Sequence, residues 1–459
     1  MSFRVKLVAS AVALGMAAVS VGGAHAQSIT QALTIAYDHA PDLQAALLEA
    51  KSSAENVALA NAGKRPTIGA SVGGTYSWSA GQASPSNPSG AFTGSQTYTA
   101  GLSYNQTVFD NFQTEAQIEQ ARAAAEAAEH QIRNTEQNVL LSVVDAYMSV
   151  LSGRQLVALR RENVDFFQAQ LQSAQDRLDV GEGTRIDVAQ AQARLAQGEA
   201  AFRAAQSSLE ISQATFQRYV GVAPQNLDSS HNYGRLIPNS LQAAIAEAEA
   251  GHPAILLAKA SIRAAQAGSD AAQAGFGPTA TVTGDVGTAY NSTAGSQGLS
   301  GSLGFRITVP LYAGGALGAN VRKANIEQIR SEVTAMSSYD QIREAVISAW
   351  AGMQSADAQI AAANAAVSAG TTVLEGVIQE RDLGTRTTLD VLNSQAELVT
   401  ARESLINASS NKVMATFSLL SAMGHLTATD LGLAVEVKTA VPYNQAVEDV
   451  WQELRTVAE

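Results

Sequence analysis

The residues best suited to chemistry lie in two short turns of similar sequence. Residues 180–188 read Val-Gly-Glu-Gly-Thr-Arg-Ile-Asp-Val, and residues 383–391 read Leu-Gly-Thr-Arg-Thr-Thr-Leu-Asp-Val. Each turn carries an arginine and an aspartate, which can form ion pairs or attract counter-ions. An acid in the first turn of a helix also suits the helix dipole, so the charges alone are equally consistent with a solvated helix end.

Patterns typical of enzymes or metal sites are missing from the sequence. No serine, histidine and acid form a nucleophile cluster, and residues 314–318 are glycine-rich but lack the Lys-Ser/Thr of a phosphate loop. The sequence therefore predicts no enzyme activity, no cofactor and no metal site. The six histidines lack the spacing of metal ligands and stand at positions 25, 39, 130, 231, 252 and 425.

The two turns belong to an internal repeat. Four identities recur at a fixed offset of 203 positions, and two prolines in each half recur at an offset of 212. A constant offset indicates duplication of the sequence. The offset is 212 before the predicted hairpin and 203 after it, so the nine-residue difference falls inside the hairpin, mostly in its loop. The pairs are Gly181 and Gly384, Thr184 and Thr387, Asp187 and Asp390, Val188 and Val391, Pro41 and Pro253, and Pro66 and Pro278.

Residues 1–26 have the pattern of a secretory signal peptide: Arg4 and Lys6, an uncharged run, then Ala24-His25-Ala26. Cleavage there leaves 27 basic and 41 acidic residues, a charge of −14, which disfavours nucleic-acid binding. The absence of cysteine excludes disulfides, thiolate sites and a lipidated N-terminal cysteine. No later segment is expected to be apolar enough to cross a membrane as a helix.

Long helices must position the two turns. Residues 110–179 contain no proline and predict a rod of about 105 Å. Gly384 is suited to end one helix, and Thr387 or Thr388 to cap the next, so each turn is the tip of a helical hairpin. The predicted organisation is a signal peptide (1–26), repeat 1 (27–240, with a β-hairpin at about 67–109 and helices 111–180 and 184–220), repeat 2 (241–426, with a hairpin at about 279–310 and helices 318–383 and 387–423), and a C-terminal tail (427–459).

Four segments alternate with period two, which predicts strands with one apolar face and one small polar face. Aliphatic residues with tyrosine and tryptophan on one face are typical of strands that face lipid. Four strands cannot close a barrel, and open edges are excluded from lipid. Several chains must then share one barrel. The predicted lipid-facing residues are Val72, Tyr76, Trp78, Leu102, Tyr104, Val282, Val286, Leu303 and Phe305.

Residues 383–392 match almost completely the tip motif of the TolC family of outer-membrane efflux and secretion ducts, and the whole mature chain resembles this family. Residues 308–315 resemble its strand-to-helix junction, and residues 441–451 resemble the tail of its type I secretion branch. The resemblance implies a mixed α and β membrane protein, in which long helical hairpins form a periplasmic α-barrel and four antiparallel strands contribute to a shared outer-membrane β-barrel. It also implies a homotrimer that binds outer-membrane lipid, a periplasmic adaptor protein and an inner-membrane transporter of the ABC or RND type.

The resemblance also assigns site residues at the hairpin tips. It implies a periplasmic gate and lumen lining at Asp187, Arg381, Arg386, Asp390 and Asn393. Arg381 stands where well-known members carry a gate tyrosine, and Asn393 stands where they carry a second aspartate. The implied adaptor-docking residues are Val180, Gly181, Leu383, Gly384 and Thr385.

Two alternatives belong to other classes of protein. A flagellin-like filament subunit or a helical adhesin would also lack cysteine and contain long helices, but would need neither a cleavable signal nor hairpins with aromatic faces. A periplasmic adaptor would have helical hairpins without lipid-facing strands. Cell fractionation and heating separate these classes, because a duct should be extracted from the outer membrane as a heat-labile oligomer.

Overall fold

A computed structural model describes residues 27–81, 92–228, 232–292, 294–448 and 450. The predicted signal peptide and the tail beyond Val450, with Trp451, lie outside the described residues. The helices are α1 (Ile29–His39), α2 (Pro41–Ala62), α3 (Gln113–Asp179), α4 (Arg185–Val220), α5 (Leu241–Gly251), α6 (Pro253–Ala274), α7 (Ala316–Asp382), α8 (Thr388–Met423), α9 (Ala428–Leu431) and α10 (Val441–Glu448), and the strands are β1 (Thr67–Ala80), β2 (Phe92–Phe109), β3 (Thr279–Asn291) and β4 (Ser296–Thr308).

The order of elements confirms the internal repeat. Two helices, a β-hairpin and two long helices occur once in each half of the chain. The four matched helices have identical lengths of 11, 22, 67 and 36 residues. Helices of 67 residues are about 100 Å long, so α3 and α7 run the length of the molecule and carry the tips far from the strands.

The four strands form one antiparallel sheet in the order β1-β2-β3-β4. Leu102 lies opposite both Ala70 and Val286, and Val282 lies opposite Phe305. Directly opposed residues share a face, so the apolar sets of all four strands coincide. Strict alternation in β2 ends at a bulge between Thr107 and Phe109, next to the helices. Strands β1 and β4 are the edges of the sheet.

Short helices are stacked end to end on the long hairpins. Gly221 ends α4 with φ 86°, and a Cβ there would lie 2.7 Å from the ring of His39 at the end of α1. Gly424 ends α8 with φ 87°, and a Cβ there would lie 3.0 Å from the Cα of His252. Only glycine fits such backbone angles at such close approach, so α2 and α6 follow directly above the ends of α4 and α8.

The C-terminal segment is fastened across α3 by a polar cluster. Glu136 is fully buried, and its carboxylate accepts hydrogen bonds from the backbone of Ala428 at 2.6 Å and from Arg133 at 2.6 Å. Arg133 also donates to the carbonyl of Lys438 at 2.7 Å, and the Lys438 ammonium donates to the carbonyl of Tyr37 at 2.6 Å. This cluster lies beside the main apolar core, which includes Tyr37, Tyr147, Phe216 and Phe417.

One expectation about membrane helices was wrong. A stretch within α7 is long and apolar enough to cross a membrane, judged by length and composition alone, with a mean hydropathy of 1.2. The value is high because α7 is rich in alanine, which also allows close helix packing. Helix α7 packs along α6 and α8, and its length is more than three times the roughly 30 Å hydrocarbon core of a bilayer.

Candidate functional site

Both hairpin tips have the same backbone geometry. Gly181 has φ 82° and Gly384 has φ 79°, and open space surrounds the position of a Cβ at each. The Glu182 amide donates to the Arg177 carbonyl at 2.8 Å, which closes the end of α3. The equivalent bond at the end of α7 joins the Thr385 amide to the Glu380 carbonyl at 2.9 Å. The glycines therefore permit a tight reversal, and they do so without crowding.

The two aspartates of the tips close capping boxes. The Asp187 carboxylate accepts from the backbone amide of Thr184 at 3.1 Å and from its hydroxyl at 2.6 Å. Asp390 accepts in the same way from Thr387 at 2.9 and 2.8 Å. Thr387, rather than Thr388, is thus the cap of α8. The backbone and side-chain bonds from Thr387, with the nearby charge of Arg386, lower the pKa of Asp390.

If the tips coil inward, the sequence predicts that Arg381 or Arg386 reaches Asp187 of the same or a neighbouring chain. Within the chain, neither pairing is present. Arg381 is 8% exposed and donates to Asp382 at 2.8 Å and to Gln170 of α3 at 2.6 Å. The pairing is absent because Arg381 is turned toward Gln170 of α3 and is held there by this hydrogen bond. Arg386 binds Glu380 at 2.8 Å, and this carboxylate raises the pKa of Arg386.

The tips nevertheless bring some of the predicted gate residues together. Arg386 and Asp187 line one small cleft between the two hairpin ends. Asn393, one turn further into α8, accepts from Arg194 of α4 at 2.8 Å. Asp187, Arg381, Arg386 and Asp390 thus each have a hydrogen-bond partner within the chain. The partners Glu380, Gln170 and Arg194 were missed by sequence reasoning, because each lies far from the motif in sequence or belongs to a helix body without a distinctive pattern.

The predicted docking residues are at the extreme end of the molecule. Val180 is 73% exposed and Leu383 is 81% exposed. The hydroxyl of Thr385 donates to the Glu380 carbonyl at 2.8 Å and so holds the turn. Sequence reasoning missed Ile186, which is 68% exposed in the first turn of α4 at the same tip. An apolar residue in the first turn of α4, two positions after the cap Thr184, was the available signal. Such exposed apolar side chains are typical of a surface that binds another protein.

The predicted lipid-facing residues all share one face of the sheet. The most exposed are Val72 (89%) and Leu303 (84%), and in register the set also includes Tyr76, Trp78, Leu102, Tyr104, Val282, Val286 and Phe305. The opposite face is small and polar, and it carries Asp285 and Arg306, which are the charged residues of the described strands. A sheet with this division matches a wall between lipid and a wet lumen.

The profile of the family described as outer membrane efflux protein matches residues 32–222 and 244–425. The chain belongs to this family. The chain is 36% identical to the outer membrane efflux protein BepC of Brucella suis biovar 1 (strain 1330), over 98% of this chain and 97% of BepC. It is 24% identical to the outer membrane protein TolC of Escherichia coli (strain K12), over 89% of this chain and 84% of TolC.

Solved structures agree with the family assignment at the level of the fold. The outer membrane channel CmeC of Campylobacter jejuni superposes with a TM-score of 0.77 over 92% of this chain and 89% of CmeC, at 15% identity. The family and the fold are those of channel proteins. The chain is thus an outer-membrane duct that extends into the periplasm, and the alternatives of a filament subunit and a periplasmic adaptor are excluded.

Proposed function

We propose that the chain is a homotrimeric duct that passes substrates from an inner-membrane pump and a periplasmic adaptor to the cell exterior. The observation that carries this proposal is the open four-stranded sheet with one apolar face. Three chains supply twelve strands, and pairing of β4 in one chain with β1 in the next satisfies every edge. This is the arrangement that the backbone requires in lipid. The partner proteins determine which molecules are exported, and the pump among them is of the ABC or RND type.

We propose that the tips form both the periplasmic gate and the docking surface. Ion pairs between exposed groups contribute only about 0–1 kcal/mol each. Arg386 is half exposed and its partner Glu380 is in the same turn, so Arg386 can exchange this partner for Asp187 of a neighbouring chain. A gate held by several such weak pairs opens when a docked adaptor binds the open form more tightly. Arg381 serves this gate by fixing the tip of α7 to α3.

Two measurements test the proposal. The purified protein should be a heat-labile trimer by light scattering and by gel electrophoresis of heated and unheated samples, and it should conduct in planar bilayers. A monomer that conducts would contradict the shared barrel. For docking, the cysteine-free chain allows a single Leu383→Cys variant to carry a photo-crosslinker in cells.

Mass spectrometry of the crosslinked product should identify a periplasmic adaptor. The matched control is Val333→Cys, which is 60% exposed in the body of α7. Capture of the adaptor from Val333→Cys and not from Leu383→Cys would refute docking at the tips, while leaving the trimer proposal intact.

A further inference from the structure

A groove of 590 Å³ lies between α2 and the C-terminal segment of the chain. Helices α2 and α10 pack side by side, and the groove runs between them at the end nearer to α1. Its size is typical of a small-molecule pocket, which spans about 300–1,000 Å³. The lining includes Leu47 and Lys51 of α2, Pro442 and Ala446 of α10, residues 436–439, and Asp38 at the end of α1.

Residues 438–440 run along α3 as extended chain. The carbonyl of Lys438 accepts from Arg133 at 2.7 Å, and the amide of Ala440 donates to Glu129 at 2.9 Å. Arg133 and Glu129 are four residues apart on α3, which is about 6 Å along the helix axis. Two residues of the tail therefore cover about 3 Å each, which is close to the reach of a fully extended chain.

The groove contains backbone groups that have no partner within the chain. In extended chain, the backbone groups of successive residues point to opposite sides. The amide of Lys438 donates to the hydroxyl of Tyr37 at 3.0 Å and its carbonyl accepts from Arg133, so Lys438 faces the protein. The amides and carbonyls of Val437 and Thr439 face the other way, and they have no hydrogen bond in the described part of the chain. An open edge of this kind pairs with an extended peptide.

Free charges of opposite sign lie toward the two ends of the groove. The carboxylates of Asp38 and Glu436 have neither a hydrogen bond nor an ion pair among the described residues, and both residues are exposed. The ammonium of Lys51 lies 5.3 Å from the centre of the Tyr443 ring and likewise has no acidic partner there. Asp38 precedes α2, and Lys51 lies ten residues into it, about 15 Å along the axis. That span fits an extended peptide of about four or five residues.

We propose that this groove binds short extended peptides with free termini. The backbone of the peptide pairs with Val437 and Thr439. Its amino group meets Asp38 and Glu436, and its carboxylate meets Lys51. The second ammonium of the groove, that of Lys438, donates to the carbonyl of Tyr37 at 2.6 Å and is not the counter-charge. The site belongs to a single chain, so the proposal goes beyond the duct and does not depend on the gate or on the number of subunits.

The absence of cysteine from the sequence makes the test direct. Ala446 is exposed and lines the groove, so an Ala446→Cys variant of the full-length, assembled protein reports occupancy by its rate of labelling with methyl methanethiosulfonate. The probe is tetra-L-alanine. At twice its dissociation constant the probe leaves one third of the sites free, so labelling slows about threefold. The acetylated and amidated peptide, which has no charged end, should bind more weakly by about two- to fivefold for each lost ion pair.

Methylated probes test the backbone pairing without any change in the protein. Successive amides of an extended peptide point to opposite sides, so only one of the two central amides of tetra-L-alanine can pair with the chain. N-methylation of the second or of the third residue should therefore abolish protection in one case and preserve it in the other. Equal effects of the two methylations would overturn the proposal.

Matched variants test the charged end of the groove. In the Ala446→Cys background, Lys51→Met should weaken binding of tetra-L-alanine by about two- to fivefold. Lys323→Met, at an exposed position on α7, should leave it unchanged. Ser355→Cys, exposed on α7 outside the groove, should be labelled at the same rate with and without the probe. No protection up to the solubility limit, or equal protection by the free and the blocked peptide, would refute the site.

Discussion

The division of the sheet into two faces can be tested with neighbouring residues of β4. Leu303 is 84% exposed near the middle of the strand and lies opposite Gly284. Ser302 points to the other face and lies opposite Asp285. An arginine on the lipid face costs about 2–4 kcal/mol near mid-bilayer. In the proposed trimer, three copies of Leu303→Arg cost roughly 6–12 kcal/mol per barrel, which is comparable to the whole stability of a typical domain.

Ser302→Arg places the same side chain one residue away, on the polar face. There its charge meets Asp285 directly across the strands, and such a pair contributes about 0.2–1 kcal/mol. Both variants are assayed by the amount of heat-labile oligomer in outer-membrane fractions. We expect Leu303→Arg to lose most of its oligomer and Ser302→Arg to keep it. If the two variants lose the same amount, the assignment of faces is wrong.

Three further outcomes are expected. Gly384→Val should abolish export while oligomers persist, because a β-branched residue is strongly disfavoured at φ 79°. The control Gly376→Val, at an open position inside α7, should export normally, and normal export by both variants would show that the tip is not needed for export. Glu136→Ala should lower the unfolding free energy by about 1–3 kcal/mol, because it leaves the buried Ala428 amide without its acceptor, while Arg133 keeps the carboxylate of Glu129 at 3.6 Å. An unchanged denaturation midpoint would show that the tail is not held by this group. The hydrogen bond from His425 to Asp430 at 3.3 Å raises the pKa of His425, so the stability that this pair contributes is complete below the unfolded pKa of about 6.5 and is lost as the pH rises through the folded pKa. Limited proteolysis of the tail should therefore be faster at high pH than at low pH in the parent, and independent of pH in His425→Gln. A parent protein without this difference would contradict the assignment.

Much of the fold could be predicted from local patterns in the sequence. The strand faces, the glycine turns and the capping residues depend on spacings of two to four residues, so they could be read directly. Asp390 was recognised as a first-turn acid, and the structure adds its bonds to Thr387. The repeat supplied a second copy of each pattern, which fixed the order of elements.

Contacts between distant segments could not be predicted from those patterns. Burial of Arg381 depends on Gln170, which is 211 positions away, and nothing in either local sequence indicates the pairing. The bond from Ala428 to Glu136 spans 292 positions, so Glu136 had the appearance of an ordinary surface acid on a long helix.

In the shared barrel that we propose, the two free edges of the sheet also govern how the barrel is made. A single chain presents the outer edges of β1 and β4 with their backbone groups unpaired, and such edges promote pairing with any exposed strand. Stable insertion must therefore follow or accompany the meeting of chains, so its rate rises steeply with their concentration. Chains that meet slowly remain in the periplasm with aggregation-prone edges. Factors that hold or degrade such chains should thus control the number of ducts more strongly than the stability of the finished barrel does.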